Sequence, residues 1–369
     1  MRIERLQLRL LRLPLVHFFE TSFGRVYDRT FIIVTVTADG VEGVGECVAD
    51  QNPFYSSETT GTAWQIIRDF IAPIVLGRGF EHPGDVFASL RAIRGHNMAK
   101  AAVEMAAWDA AARQRATPLS RMLGGTRSCI ESGVSIGIQD SLGQLAEKVR
   151  IELAAGYRRI KIKIKPGWDV AAVEMIRSQF GAIRLMVDAN AAYGAADAAH
   201  LSALDAYDLM MIEQPLDYDD ISDHARLQRA LRTPICLDES IHTPRVAEEA
   251  IAMGACRIIN IKPGRLGGHA ESIRVHDIAA ANGIPVWHGG MLESGIGRAH
   301  NIHLCSLANF TLPGDIAASR RYYAPDLIEP AIDVSEQGTI PVPEGPGIGV
   351  HIDWDRVERA TLESADLLV

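Results

Sequence analysis

Lys163, Asp188, Glu213, Asp238 and Lys262 are the residues of this chain best suited to chemistry, and they recur at a near-constant interval. The steps are 25, 25, 25 and 24 residues, and His288 follows 26 residues later. Lys163 lies in RIKIKIKPG (Arg159–Gly167), where isoleucine alternates with lysine as on a strand, so Lys161, Lys163 and Lys165 share one face. On a strand buried from both sides such charges need partners, and the three acids arrive at the same interval after them. Three carboxylates gathered at one place need a cation if all are to stay ionised. An oxygen-only donor set selects a hard ion, Mg²⁺, with Mn²⁺ as a substitute. A lysine beside a second ammonium and a divalent cation loses proton affinity. That suits it to take a proton from carbon next to a carboxylate, the metal stabilising the enediolate. For a single acid, an ion-pair network that merely closes the fold would be the better reading; four consecutive strand ends in register weigh against it.

These residues need a scaffold that brings strand ends together. From about residue 129, short apolar runs (SGVSIGI, RIKIKI, IRLMVD, LMMIE, TPICLD, CRIINIK, IPVWHG, NFTLPGD) alternate with helical stretches such as DVAAVEMIRSQFG and AADAAHLSALDAY. Such alternation predicts a parallel sheet covered on both faces, and eight strands fit a barrel whose C-terminal mouth collects catalytic groups. No G-x-G-x-x-G follows the first run, which argues against a dinucleotide fold. Residues before about 125 show an α+β pattern, with strands over Ile3–Leu13, Phe31–Thr37 and Val41–Cys47 and helices near 63–74 and 99–115. Pro118 and Gly124-Gly125 mark the boundary. After about 320 a Pro/Gly-rich tail (PVPEGPGIGV) is too short for its own core and is expected to pack back on the rest.

Composition narrows the partners. The 369 residues are 47% hydrophobic and 22% charged, with a dispersed net charge of −9. This excludes the basic face that a nucleic acid or an anionic membrane requires. No apolar run is long enough for a membrane span, and the amphipathic N-terminus does not read as a signal peptide. Five scattered cysteines without a C-x-x-C pair suit a reducing compartment, so the cytoplasm is expected. The expected partner is a small-molecule carboxylate, and a homo-oligomer is the expected assembly.

The stretches KIK (Lys161, Lys163), VDAN (Asp188, Asn190), IEQP (Glu213), LDES (Asp238, Glu239) and NIKPG (Lys262) resemble the enolase superfamily, in its muconate-lactonising-enzyme subgroup. Further ordered matches include TSFG (Thr21–Gly24), GECVA (Gly45–Ala49), PFYSSE (Pro53–Glu58), PLSRMLGG (Pro118–Gly125), NIKPGRLGG and GGMLESGIGRAHN (Gly289–Asn301). Together they resemble the o-succinylbenzoate synthase / N-acylamino acid (N-succinylamino acid) racemase family. The resemblance implies an α/β fold, a modified TIM barrel of (β/α)7β type over residues 126–320. An N-terminal α+β capping domain, residues 1–125, would be completed by residues 321–369. It also implies the superfamily's known lysine and Mg²⁺ chemistry, with Lys163 and Lys262 as acid/base lysines and Asp188, Glu213 and Asp238 as metal ligands. Lys161 would bind the substrate carboxylate and depress Lys163. The reaction would be dehydration to o-succinylbenzoate, as in menaquinone biosynthesis, or racemisation of N-succinyl or other N-acyl amino acids, or both.

Other positions carry two readings. Asn190 either orients the metal ligands or serves a turn, and Ser135 either donates to a carboxylate or is a buried, satisfied serine. Phe19, Phe23 and Tyr55 fall where cap loops would close over substrate, although lone aromatics are usually core. Gly290 and Met291 would let substrate approach the backbone, and His288 would form pocket wall. Arg265 could lower the Lys262 pKa or be a plain exposed arginine; Glu239 flanks the metal set; Lys165, before Pro166, is expected to leave into solvent. A dipeptide epimerase is the alternative, but its D-x-D pair is missing at Pro313-Gly314-Asp315. A cycloisomerase fits less well, and a non-catalytic metal-stabilised binding protein would have no use for two flanking lysines.

Overall fold

The computed structural model describes residues 1–369. β1 (Ile3–Thr21) and β2 (Gly24–Ala38) form a long hairpin, and β3 (Val41–Cys47) continues the antiparallel sheet. The C-terminal strand Thr361–Leu368 pairs with the outer edge of β1, so the tail does fold back, as its length required. Helix Asn97–Gln114 lies across this sheet with residues 98 to 112 all buried. Its alanine-rich surface allows the close approach, and so do two strand glycines. A Cβ at Gly43 would stand 2.2 Å from the Ala106 carbonyl, and one at Gly45 2.2 Å from that of Ala102. Glu58 accepts from the amides of Met98 and Ala99, both at 2.8 Å, satisfying donors that a helix start leaves open.

Seven parallel strands follow in strictly consecutive order: Val134–Ile136, Ile160–Lys163, Leu185–Asp188, Ile212–Glu213, Ile235–Leu237, Ile258–Ile261 and Val286–His288. The expected eighth strand is not continuous. Residues 310–314 contribute only isolated parallel bridges, Val286 to Phe310 on one side and Ser132 to Gly314 on the other. Those two bridges still close the barrel. Pro313 has no amide hydrogen to extend a ladder, which accounts for the broken pairing. AADAAHLSALDAY does not form one helix either. It is a 3-10 turn, one α turn (Ala198–Leu201) and a second 3-10 stretch. The Ser202 hydroxyl donates back to the Ala199 carbonyl at 2.7 Å, competing with the helical ladder.

The second barrel strand shows why its sequence alternates. Ile160, Ile162 and Ile164 are fully buried in the main hydrophobic core, each worth about 1.5–3 kcal/mol of apolar burial. Lys161 and Lys163 point the other way, into the barrel mouth, and are buried as well. No helix is long and apolar enough to cross a membrane.

Candidate active site

Strand register places the charges beside one another. Lys163 pairs with Asp188 across the second and third strands, and Asp188 with Glu213 across the third and fourth. The Lys163 ammonium donates to Asp188 Oδ2 at 2.6 Å and to Asn190 Oδ1 at 2.7 Å. The Lys161 ammonium reaches Asp315 Oδ2 at 2.6 Å, Glu213 Oε2 at 2.9 Å and Asp188 Oδ2 at 3.2 Å. Across the mouth, Lys262 donates to Asp238 Oδ2 at 2.7 Å and to the Tyr55 hydroxyl at 3.2 Å, with its ammonium 4.5 Å from the Tyr55 ring centre. The counter-charges of the lysine strand thus come from the strands that follow it.

Burial and charge then set each group. Burial alone would raise Asp188, but the Lys163 and Lys161 ammoniums outweigh it and hold the carboxyl well below the usual range. Asp238 is lowered in the same way, burial being overcome by Lys262 and Arg265. Glu213 goes far up, through burial first and the neighbouring Asp188 charge second. Glu239 is pushed up to about 8 by burial and then by Asp238 and Asp188. Burial favours neutral Lys161 and Lys262, yet their carboxylate partners prevail and raise both above an ordinary lysine. The lowering expected of a lysine beside a second ammonium and a divalent cation concerns the metal-loaded site; here each of these two lysines sits directly on acids.

The donor set fits a hard divalent cation by its chemistry. Asp188, Glu213 and Asp238 are buried, oxygen-only and at consecutive strand ends. Glu213 is driven upward by Asp188 and Asp238 together, a repulsion that a cation would remove. Glu239 Oε2 is buried without a hydrogen-bond partner beside them. The acids are not drawn into a tight cage: no group of three or more His, Cys, Asp or Glu side chains is gathered closely enough to hold a metal. Ammonium groups engage those oxygens instead.

Between the two lysines opens a cavity of about 200 Å³, lined by Lys163, Lys262, Asn190, Gly290 and Met291 from the barrel and by Phe19, Phe23 and Tyr55 from the cap. A smaller chamber of about 50 Å³ continues beneath it past Phe19, Ser135, Lys161 and Asp315. Phe19 and Phe23 sit at the tip of the β1–β2 hairpin, where Phe19 pairs with Val26 and Thr21 with Gly24. The tip is therefore strand-built and extends well past the Leu13 end expected from sequence, the ladder resuming after an irregularity between Pro14 and Phe19. Tyr55 also donates to Asp238 Oδ1 at 3.1 Å. Asn190 has a positive φ of 43°, its side-chain oxygen accepts from Lys163, its side-chain Nδ2 donates to Glu239 Oε1 at 2.9 Å, and its backbone N–H donates to Asp188 Oδ1 at 3.0 Å. Ser135 is buried, but its hydroxyl has no partner.

Arg265 is buried and pairs directly with Asp238, so it is not a plain exposed arginine. His288 is wholly buried and lines neither cavity. Lys165 emerges from the strand, half exposed, with Glu20 of the hairpin tip 3.5 Å away. Three participants escaped the sequence reading. Asp315, at the end of the broken eighth strand, pairs with Lys161 and Arg159; Arg159 lies two residues before Lys161 on its face; and Asn260 donates to Glu213 Oε1 at 2.6 Å. The period-two spacing from Lys161 and Lys262 back to Arg159 and Asn260 was the available signal.

Residues 8–124 match the mandelate racemase / muconate lactonizing enzyme N-terminal domain, and residues 144–356 match the enolase C-terminal domain-like family. The chain is similar to an o-succinylbenzoate synthase of Geobacillus kaustophilus, 51% identical over 97% of this chain and 96% of that protein. It is likewise similar to an N-succinylamino acid racemase of Thermus thermophilus, 49% identical over 98% of each. An enolase-superfamily member of known structure from Listeria innocua superimposes with a TM-score of 0.96 at 41% identity, covering 100% of this chain and 99% of that one.

Proposed function

Because the chain belongs to the mandelate racemase / muconate lactonizing enzyme family of the enolase superfamily, we propose that it abstracts the proton α to a carboxylate, acting as an o-succinylbenzoate synthase, an N-succinylamino acid racemase, or both. Relatives of either name, each about half identical to it, support this reading. The observation that carries it is the pair of buried lysines, Lys163 and Lys262, lining one cavity from the second and sixth strands. In an eight-membered ring those positions are opposite one another, so a substrate between them offers each lysine one face of its α-carbon.

Asp188, Glu213 and Asp238 would hold Mg²⁺, with Mn²⁺ as a substitute. Bound there, the ion would supply positive charge for the enediolate. Lys161 would bind the substrate carboxylate, and Ser135, with a hydroxyl lacking a partner, would donate to the same bound molecule. Phe19, Phe23, Tyr55 and Met291 would exclude water and shape the acyl and side-chain pockets. In racemisation a neutral lysine takes the proton from one face and the opposite ammonium returns one to the other. Dehydration needs a single base, Lys163, which takes the α-proton and returns a proton to the β-hydroxyl as it leaves as water, while the Lys262 ammonium stabilises the developing charge.

Asp315 is committed to Lys161 and Arg159, which leaves no free acid pair for a dipeptide's amine. The five cysteines are free thiols, which supports a cytoplasmic, small-molecule enzyme; we expect it to self-associate. The test is a side-by-side rate comparison of the dehydration substrate with several N-succinyl amino acids in Mg²⁺. Turnover of neither would overturn the proposal.

A further inference from the structure

Lys161 has two kinds of partner. Its ammonium is 2.9 Å from Glu213 and 3.2 Å from Asp188, the acids assigned above to the metal, and 2.6 Å from Asp315, which is not one of them. Asp315 is fixed independently of Lys161. Its second oxygen takes the Arg159 guanidinium at 2.6 Å, and its amide donates to the His288 carbonyl at 2.8 Å. Arg159 is itself held, donating to the Pro313 carbonyl at 2.9 Å and lying 4.9 Å from the Trp287 ring centre. All three charged groups are buried.

An ammonium and a divalent cation compete for the same carboxylate lone pairs. A buried ammonium that loses two acids cannot move out to water, so it needs another anion close by. We propose that Asp315 is a positioning residue: it retains Lys161 when Asp188 and Glu213 are given over to Mg²⁺, keeping the ammonium out of the metal's place and beside the substrate carboxylate. Arg159 keeps Asp315 from following. The inference rests on the metal assignment of the proposed function.

The test is a Mg²⁺ titration by calorimetry of the full-length, metal-free protein. Asp315→Asn should weaken Mg²⁺ binding at least ten-fold, because Lys161 then stays on Asp188 and Glu213. In a Lys161→Met background the same change should weaken it less than three-fold, since only the loss of a distant negative charge remains. This difference between backgrounds is a coupling that a merely structural aspartate would not show. Should Asp315→Asn fail to fold with Arg159 left unpaired, the double variant Arg159→Met/Asp315→Asn carries the same expectation in both backgrounds. Equal weakening with and without Lys161 overturns the positioning role while leaving the metal assignment intact. Wild-type protein that binds no Mg²⁺ overturns the metal assignment, and this inference with it.

Discussion

Ser135→Ala should leave the stability of the fold nearly unchanged and make a poorer enzyme. The Ser135 hydroxyl is buried and has no hydrogen-bond partner, in a chamber it shares with Lys161, Asp315 and Arg298. No group of the protein itself pairs with the hydroxyl, so alanine removes no hydrogen bond of the fold and does so at nearly constant shape. The backbone is unaffected, since Ser135 still pairs with Lys161 in the sheet and its carbonyl still accepts from Arg321. Such a change should alter stability by no more than about 0.5 kcal/mol, so with an unfolding entropy of about 2.1 cal/mol/K per residue over 369 residues the melting midpoint should move by less than about 1 °C. A hydrogen bond to a charged acceptor contributes about 1.5–3 kcal/mol, so its loss should raise KM about 10- to 100-fold. Scanning calorimetry and steady-state kinetics on one preparation read both. A lower midpoint together with an unchanged KM would mean that the hydroxyl serves the fold, and the reasoning fails.

Excess chelator should abolish activity, with Mg²⁺ or Mn²⁺ restoring it; full turnover in chelator would refute the metal-assisted reaction. Phe19→Ala, at the hairpin tip over both chambers, should change the ranking of N-acyl and side-chain groups in kcat/KM while α-proton exchange persists; unfolding instead would return Phe19 to the core. His303 is pulled by burial from 6.5 to about 4, so the stability it gives is present above pH 6.5 and lost as pH falls towards 4. At about 1.36 kcal/mol per unit, wild type should lose about 3 kcal/mol more than His303→Gln between pH 7 and 4, and parallel denaturant midpoints would contradict this. Glu104 accepts from the amides of His269 and Ala270 at 2.8 and 2.9 Å and from the Trp108 indole at 2.6 Å. Glu104→Gln replaces the oxygen that accepts from His269 and should cost about 1–3 kcal/mol, seen as faster amide exchange at His269.

The barrel and the charged ring were legible because the constraint behind each is local and periodic. Strand ends recur at one interval, and the face of a strand alternates with period two, so Lys163, Asp188, Glu213 and Asp238 could be placed without coordinates. What was missed lies off that period. The eighth strand is broken at Pro313, which hid Asp315 as a partner of Lys161. The hairpin tip bearing Phe19 and Phe23 follows an irregularity in register that no alternation rule anticipates. The contacts of the lysines were not legible for a different reason: which oxygen each ammonium touches depends on side-chain placement, and sequence spacing fixes neighbours but not contacts.

The central claim is that Lys163 and Lys262 address opposite faces of one α-carbon, and pure enantiomers test it most directly. Each enantiomer of an N-succinyl amino acid is incubated in D₂O and Mg²⁺ with Lys163→Ala or Lys262→Ala, and loss of the α-proton signal is followed by NMR. The account predicts that each variant exchanges only one enantiomer, the two variants choosing opposite ones, and that neither racemises. Equal exchange of both enantiomers by either variant would contradict it.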